Sequence, residues 1–531
     1  MTGWADHLVI APIVVPMLAG AAMVLAGDRW RGATVALGLG SALLLAALAV
    51  ALLLAADVPD VRVYRLGDWP ARFGIVLVLD RLSALMLVLV AAVGLAALLF
   101  SLARWHRAGA HFHPLLQFQL MGLNGAFLTG DLFNLFVFFE VMLAASYGMA
   151  LHGTGTARVR AGLHYIVVNL VASLLFLIGV SVVYGIAGTL NMADLAARMR
   201  GVAAADRALL EAGLAVMGVA FLVKAAIWPL GFWLQGSYAA AAAPAAAILS
   251  VLSKVGVYAV LRVWLLLFGA EGGASAGFGA EALLAGGLLT IAFGSVAALG
   301  TQDLPRLAGA SVLVSSGTLL TAIGAGQAAV TGGALFYMAS SVLAIGAFFL
   351  LIELVERGRE VGADVLAVTR EAFAGGDEAE AEEAGVAFPG TVAILGLGFL
   401  ASALLLAGLP PLSGFLAKFA ILAPLLGTGG AEAPGTTWLV VAALVLSGLA
   451  TVIAMVRAGI EVFWAAPAAR APRVALVEIA PVALLLALCA GLAVGAGPAM
   501  DYMLAAAEAL HAPAGYLRGV MDVPEAAGYA R

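Results

Sequence analysis

The chain reads as a succession of long apolar runs separated by short polar punctuation. The runs fall near 7–26, 33–56, 75–101, 112–130, 131–152, 162–187, 209–235, 239–268, 278–300, 308–325, 331–354, 388–426, 438–465 and 474–497. A helix needs about 20 mostly apolar residues to cross a bilayer core, so the pattern predicts about fourteen transmembrane α-helices. The runs are continuous and lack the alternation of a barrel strand. No Lys or Arg precedes the first run, the earliest being Arg29, so that run reads as a span and not as a signal peptide.

Composition turns the pattern into an exclusion. Of 531 residues, 64% are hydrophobic and 11% charged. A soluble domain carries about 25% charged residues, and its surface could not absorb this apolar excess. A soluble enzyme and a disordered chain are both excluded. The single cysteine, Cys489, leaves no intrachain disulfide and no Cys-ligated metal or iron–sulfur centre. The net charge is −5, and no basic stripe points to nucleic acid. The expectation is an all-α polytopic protein embedded in membrane lipid, with no metal and no cofactor.

Loop charge sets the orientation. With the N-terminus outside, the inner loops carry more arginine than the outer ones, which favours both termini outside. Two loops stand apart. Residues 187–207 have the pattern of a short amphipathic surface helix, with Asn191 as its N-cap. The Glu- and Gly-rich stretch 355–388 reads as a solvated loop.

Inside the apolar runs, charge is rare and selective. The only three lysines, Lys224, Lys254 and Lys418, all lie in them, whereas every basic loop residue is arginine. A charge at the centre of a span costs at least about 2.5–3.5 kcal/mol. Lysine, unlike arginine, can give up its proton when buried, so three buried amines suggest proton handling. A lysine near a span end can instead snorkel to the interface. Glu140 is the one acid near the middle of a span, and a carboxylate there needs a partner or a proton. A lysine from another span is its natural partner. Asp131, closer to a helix end, reads equally as an N-cap or a loop residue. His106, His111 and His113 flank an inner loop without metal-ligand spacing. His164, near a span start, reads as interfacial, with Asn169 further along the same span.

Two of the lysines lie beside helix breakers. Lys224 is followed by Trp228-Pro229 and Leu230-Gly231, and Lys418 is preceded by Pro410-Pro411 and Ser413-Gly414. Proline frees backbone carbonyls, and broken backbone survives in lipid only where protein or water satisfies it. Paired interruptions in two halves of a transporter point to its polar pathway. The two lysine spans are about five helices apart, an odd number, which predicts an inverted repeat.

Several segments carry a resemblance. LTGDLFNLFVFFEVMLAASYGMALHG (128–153), YGIAGTLNMADLA (184–196), VKAAIWPLGFWL (223–234), SVLSKVGVYAVLRVW (250–264), TQDLPRLAGASVLVSSGTLL (301–320) and LAGLPPLSGFLAKFAIL (406–422) resemble, in order, parts of the D subunit of Mrp-type cation/proton antiporters. That resemblance implies about fourteen helices with two inverted five-helix repeats, each holding a broken helix. It implies helices 1–3 over 1–108, a first repeat over 109–270, a second over 271–466, and a last helix and tail over 467–531. It implies that Glu140 pairs with Lys224, that Lys254 continues a polar axis, and that Lys418 serves the second half. It further implies a bacterial inner-membrane location, work inside a hetero-oligomeric complex with other antiporter subunits, and exchange of Na⁺ or K⁺ for protons. Two positions depart from the family. Ser340 stands where relatives usually carry a His, so water and the hydroxyls of Ser340, Ser341 and Tyr337 would have to carry the proton. Gln235 stands where a Pro is common.

No GxxxxGK[ST] sequence or redox-ligand cluster accompanies the spans. The leading expectation is therefore a secondary transporter subunit rather than an enzyme. A proton-pumping subunit of an NADH–quinone or membrane-bound hydrogenase complex would use the same chain chemistry with another driving force. A scaffold that keeps the fold without a proton path is the third reading.

Overall fold

The computed structural model describes residues 6–71, 74–109, 111–153, 155–357, 390–427, 435–464 and 474–521. Most of the acidic stretch 355–388 lies outside these residues. The fold is nearly all helical. Helices α1 (Ala11–Ala26), α2 (Arg31–Ala55), α3 (Arg81–Ser101), α4 (Phe112–Leu128), α5 (Leu132–Ala150) and α6 (Thr156–Ala187) come first. There follow α7 (Met192–Met199), α8 (Ala204–Ala225), α9 (Leu234–Ala240) and α10 (Ala243–Phe268). Then come α11 (Ala280–Gly300), α12 (Leu304–Gly324), α13 (Ala328–Glu356), α14 (Gly390–Ala407), α15 (Ser413–Leu426) and α16 (Gly435–Phe463). Helices α17 (Leu476–Val494), α18 (Ala496–His511) and α19 (Ala514–Met521) close the described chain. Among the described residues, 12 helices are long and apolar enough to cross a membrane, and α1 and α15 are shorter apolar helices.

Burial sorts these helices. The apolar windows of α10 and α13 are entirely buried, and those of α3 and α12 nearly so. Helices α2, α11, α14 and α17 bury about a third of theirs and turn apolar side chains such as Leu54, Val296 and Leu397 outward. An apolar outer face costs nothing in lipid, which is why these helices are apolar all round.

Local chemistry explains the helix starts. Asp80 and Ser83 form a capping box at α3. Asp131 is an N-cap, its Oδ1 accepting from the Phe133 and Asn134 amides. Asn191 caps α7 as the sequence suggests, accepting from the Ala193 and Asp194 amides, and it also donates to the Ala71 carbonyl. The expected span 75–101 differs at its start. Val76–Leu79 form strand β2, antiparallel to β1 (Arg62–Arg65), before Asp80 turns the chain into α3. Hydropathy alone cannot separate a four-residue buried strand from the helix that continues it.

Candidate functional site

The expected spans 209–235 and 388–426 are each interrupted, and their lysines sit at the interruptions. Helix α8 stops at Ala225, where Ala226 adopts a left-handed conformation (φ 59°). Lys224 is in the last turn of α8. Freed backbone groups find partners: the Trp233 indole donates to the Val223 carbonyl at 3.3 Å, and the Trp228 amide to Thr290 Oγ1 at 2.8 Å. In the second break, α14 ends at Ala407 and α15 begins at Ser413. Lys418 Nζ donates to the Ala407 carbonyl at 2.9 Å. The Lys418 amine therefore stands at a helix C-terminus inside the apolar bundle, where the partial negative charge of unpaired carbonyls favours a cation; Lys224 belongs to the last turn of the other broken helix, but its amine meets no carbonyl among the described residues. Breaking the helices supplies backbone ends that can solvate an ammonium at that depth.

Glycines bring the backbones close at these points. A Cβ on Gly256 would lie 2.4 Å from the Ala225 amide nitrogen and 2.6 Å from the Phe221 carbonyl oxygen, so α10 meets α8 backbone to backbone beside Lys224. At the second break, Gly408 (φ 76°) faces the Lys418 stem, and a Cβ on Gly448 would stand 3.3 Å from Lys418 Nζ. Lys224, Lys254 and Lys418 are 4%, 1% and 8% exposed, which leaves no room for snorkelling within this fold. Lys254 donates to Ser316 Oγ at 3.2 Å. Lys224 Nζ has no hydrogen-bond partner among the described residues and lies 5.1 Å from the centre of the Phe139 ring.

Glu140 follows Phe139 on α5, yet it turns toward α6, where it accepts a hydrogen bond from Ser173. Its carboxylate and the Lys224 amine are thus near neighbours that do not touch. Glu140 is only half-buried.

Between Lys254 and Lys418 lies a patch of hydroxyls. Ser315, next to the Ser316 that receives Lys254, donates to Ser341 at 3.0 Å. Ser340 exchanges a 2.8 Å hydrogen bond with Ser413, the first residue of the lysine-bearing α15. A cavity of about 20 Å³ opens among Ser311, Ser315, Tyr337, Ser340, Ser341 and Thr451. That is room for one water molecule with several polar partners. Sequence reasoning named Ser340, Ser341 and Tyr337 as proton carriers and Ser413 only as part of a helix break; it did not name Ser316 or Ser173, whose roles depend on which helices face each other.

The other candidates scatter. His164 is exposed, while Asn169 is buried and donates to the Tyr165 carbonyl. Gln235 donates to the Arg306 carbonyl at 3.1 Å. His113 is buried and His111 exposed, and His106 meets the Ser101 carbonyl at 3.2 Å. Among the described residues, no cluster of His, Cys, Asp or Glu could hold a metal ion. In the turn after α5, His152 Nε2 meets the Trp105 carbonyl at 2.8 Å. Burial holds its ring below the ordinary histidine pKa; the Trp105 hydrogen bond opposes this and the Arg158 charge adds to it.

Comparison with known proteins extends the geometry. Residues 129–450 match the family described as NADH:quinone oxidoreductase/Mrp antiporter, transmembrane. The chain is 57% identical to the D subunit of a probable K⁺/H⁺ antiporter from Rhizobium meliloti, over 99% of each chain. It is 33% identical to the D subunit of an Na⁺/H⁺ antiporter from Alkalihalophilus pseudofirmus, over 97% of this chain and 99% of the other. Its fold is similar to a chain in the structure of the Mrp complex from Dietzia sp. DQ12-45-1b, with a TM-score of 0.83 at 24% identity, over 98% of this chain and 100% of that one.

Proposed function

The chain belongs to the NADH:quinone oxidoreductase/Mrp antiporter transmembrane family, and from that premise we propose that it is the proton-translocating D subunit of a multisubunit Na⁺ or K⁺/proton antiporter. It is a transporter subunit and not an enzyme. One observation carries the reading most directly: all three lysines of the chain are buried, two of them at helix C-termini made by internal breaks. Retaining three desolvated amines against their burial cost is hard to reconcile with a scaffold.

In this reading a proton passes between Glu140 and Lys224, on to Lys254, across the hydroxyl patch and on to Lys418. Each lysine ammonium releases its proton and becomes a neutral amine able to accept the next. Ser173 holds the Glu140 carboxylate while Lys224 stays unpartnered, an arrangement suited to a pair that associates only when a proton or cation arrives. The hydroxyls of Ser315, Ser316, Ser340, Ser341 and Ser413, with a water in the cavity, stand in for the family histidine. The remaining architecture follows the same proposal: fourteen spans counting α1, α4 and each broken helix once, inverted repeats over 109–270 and 271–466, and both termini outside a bacterial inner membrane. Partner subunits complete the transport path.

A redox-driven complex is the second reading, because the family name covers both kinds of machine. The 57% identity over the full length to a chain named as part of an antiporter favours the first. The test is cation-induced collapse of a ΔpH in everted vesicles energised by ATP, from antiporter-deficient cells expressing the whole operon. The proposal expects Na⁺ or K⁺ to dissipate the gradient and Glu140→Gln to abolish the effect. An assembled complex with no cation response would replace antiport by the redox-coupled reading. A Glu140→Gln complex as active as wild type would remove Glu140 from the path.

A further inference from the structure

The bundle end that carries the β-hairpin holds a vestibule of about 350 Å³. Val58, Val61, Leu266 and Leu510 line its walls, and the acidic Asp60 and Glu508 stand at its exposed rim. Asp80 and Arg262 also line it. Asp80 caps α3, and Arg262 lies in a π-helical turn of α10, Val260–Trp264. Such turns recur at functional sites. Arg262 grips Asp80 with both ends of its fork, at 2.6 and 2.7 Å. The Tyr258 and Tyr516 rings are 5.6 and 5.1 Å from the guanidinium carbon. Arg262 is 5% exposed.

The position of this pair matters more than its strength. Lys254, Tyr258 and Arg262 follow one another at intervals of four on α10, which is buried from Pro244 to Phe268. Tyr258 Oη lies 3.4 Å from Arg262 Nε and donates to the Phe127 carbonyl at 2.7 Å. One column of a single helix thus runs from the proposed proton carrier Lys254 to the floor of the vestibule, about 12 Å away. Arg81 also lines the vestibule but is paired with Asp57, so the rim acids Asp60 and Glu508 attract cations toward that floor. At the floor they meet a guanidinium that keeps its charge at any physiological pH. The Asp80 oxygens are both engaged by the fork, so a proton taken up there would leave Arg262 buried without its counter-charge.

We propose that the Asp80–Arg262 pair is an electrostatic seal that closes the Lys254 column against the vestibule and keeps protons and alkali cations from short-circuiting exchange. The seal rests on the reading of Lys254 as a proton carrier. It differs from a mere staple between α3 and α10 because the charge itself does the blocking.

The experiment measures passive ΔpH decay, with no Na⁺ or K⁺ added, in everted vesicles containing the whole complex. The neutral pair Asp80→Asn/Arg262→Gln keeps shape and hydrogen bonding but loses the charge. It should raise the decay rate about twofold: the pair acts as a dipole, in which Asp80 offsets most of the roughly tenfold effect that the Arg262 charge alone would have about 12 Å from the transferred proton at an effective dielectric constant of about 20. Arg262→Lys, which keeps the charge but not the fork, should leak less than the neutral pair. An assembled neutral pair whose vesicles stay as tight as wild type would reduce the pair to a staple. So would Arg262→Lys vesicles that leak as fast as the neutral pair. If the neutral pair fails to assemble, the swapped pair Asp80→Arg/Arg262→Asp retains both charges in reversed order. It should leak as well, and tight vesicles there would overturn the seal. Failure of the antiport reading is separate: wild-type vesicles would then hold their gradient but show no cation-induced collapse.

Discussion

Gly256→Ala should damage both stability and transport through a single methyl group. The new Cβ would sit 2.4 Å from the Ala225 nitrogen, 2.6 Å from the Phe221 oxygen and 2.9 Å from the Lys224 carbonyl carbon. All three are backbone atoms, so no side chain can rotate away. Ordinary contact begins near 3.4 Å, so α10 and α8 must separate by roughly 1 Å in a bundle packed as densely as an organic crystal. Overpacking of this kind costs about 1–3 kcal/mol. The separation opens where Lys224 approaches its neighbours, and a misplacement of about 1 Å lowers a positioned step by about 10²-fold. The assay is cation-driven ΔpH collapse by the intact complex, read beside its thermal melting in detergent. Gly236→Ala is the control: a Cβ there meets nothing within 4 Å, and replacing a helical glycine stabilises by about 0.5–1 kcal/mol. If Gly256→Ala melts and transports like wild type while Gly236→Ala is equally silent, the close approach at Gly256 does not position Lys224.

Two further outcomes follow from the same structure. Ser340→Val removes the hydroxyl that meets Ser413 and fills the cavity of about 20 Å³ beside it; with no place for a water, exchange should slow about tenfold, one hydrogen-bonded step of about 1.4 kcal/mol, while assembly on native gels is unchanged. Wild-type rates would take the patch off the route. His152 binds its proton less readily folded than unfolded, so the folded complex should lose stability as pH falls below the ordinary histidine value of about 6.5. His152→Gln should flatten melting temperature against pH in that range, and an unchanged slope would assign it to other groups.

Much of this protein is written locally in its chain. A span is a matter of about 20 consecutive residues, so hydropathy finds it without knowing its neighbours. Asn191 and Asp131 cap helices through amides two and three residues away. The breaks at Pro229 and Pro410-Pro411 and the confinement of lysine to apolar runs are equally local. Only the tertiary structure decides what those lysines meet. Lys254 finds Ser316 62 positions on, and Arg262 reaches back 182 positions to Asp80. Glu140 turns to Ser173 on the next helix rather than to Lys224. These choices depend on which helix faces pack together, and here that is set by backbone approaches at glycines such as Gly256 and Gly333. A glycine shows in the sequence only as a missing side chain; what fills the space it leaves is decided by the partner helix.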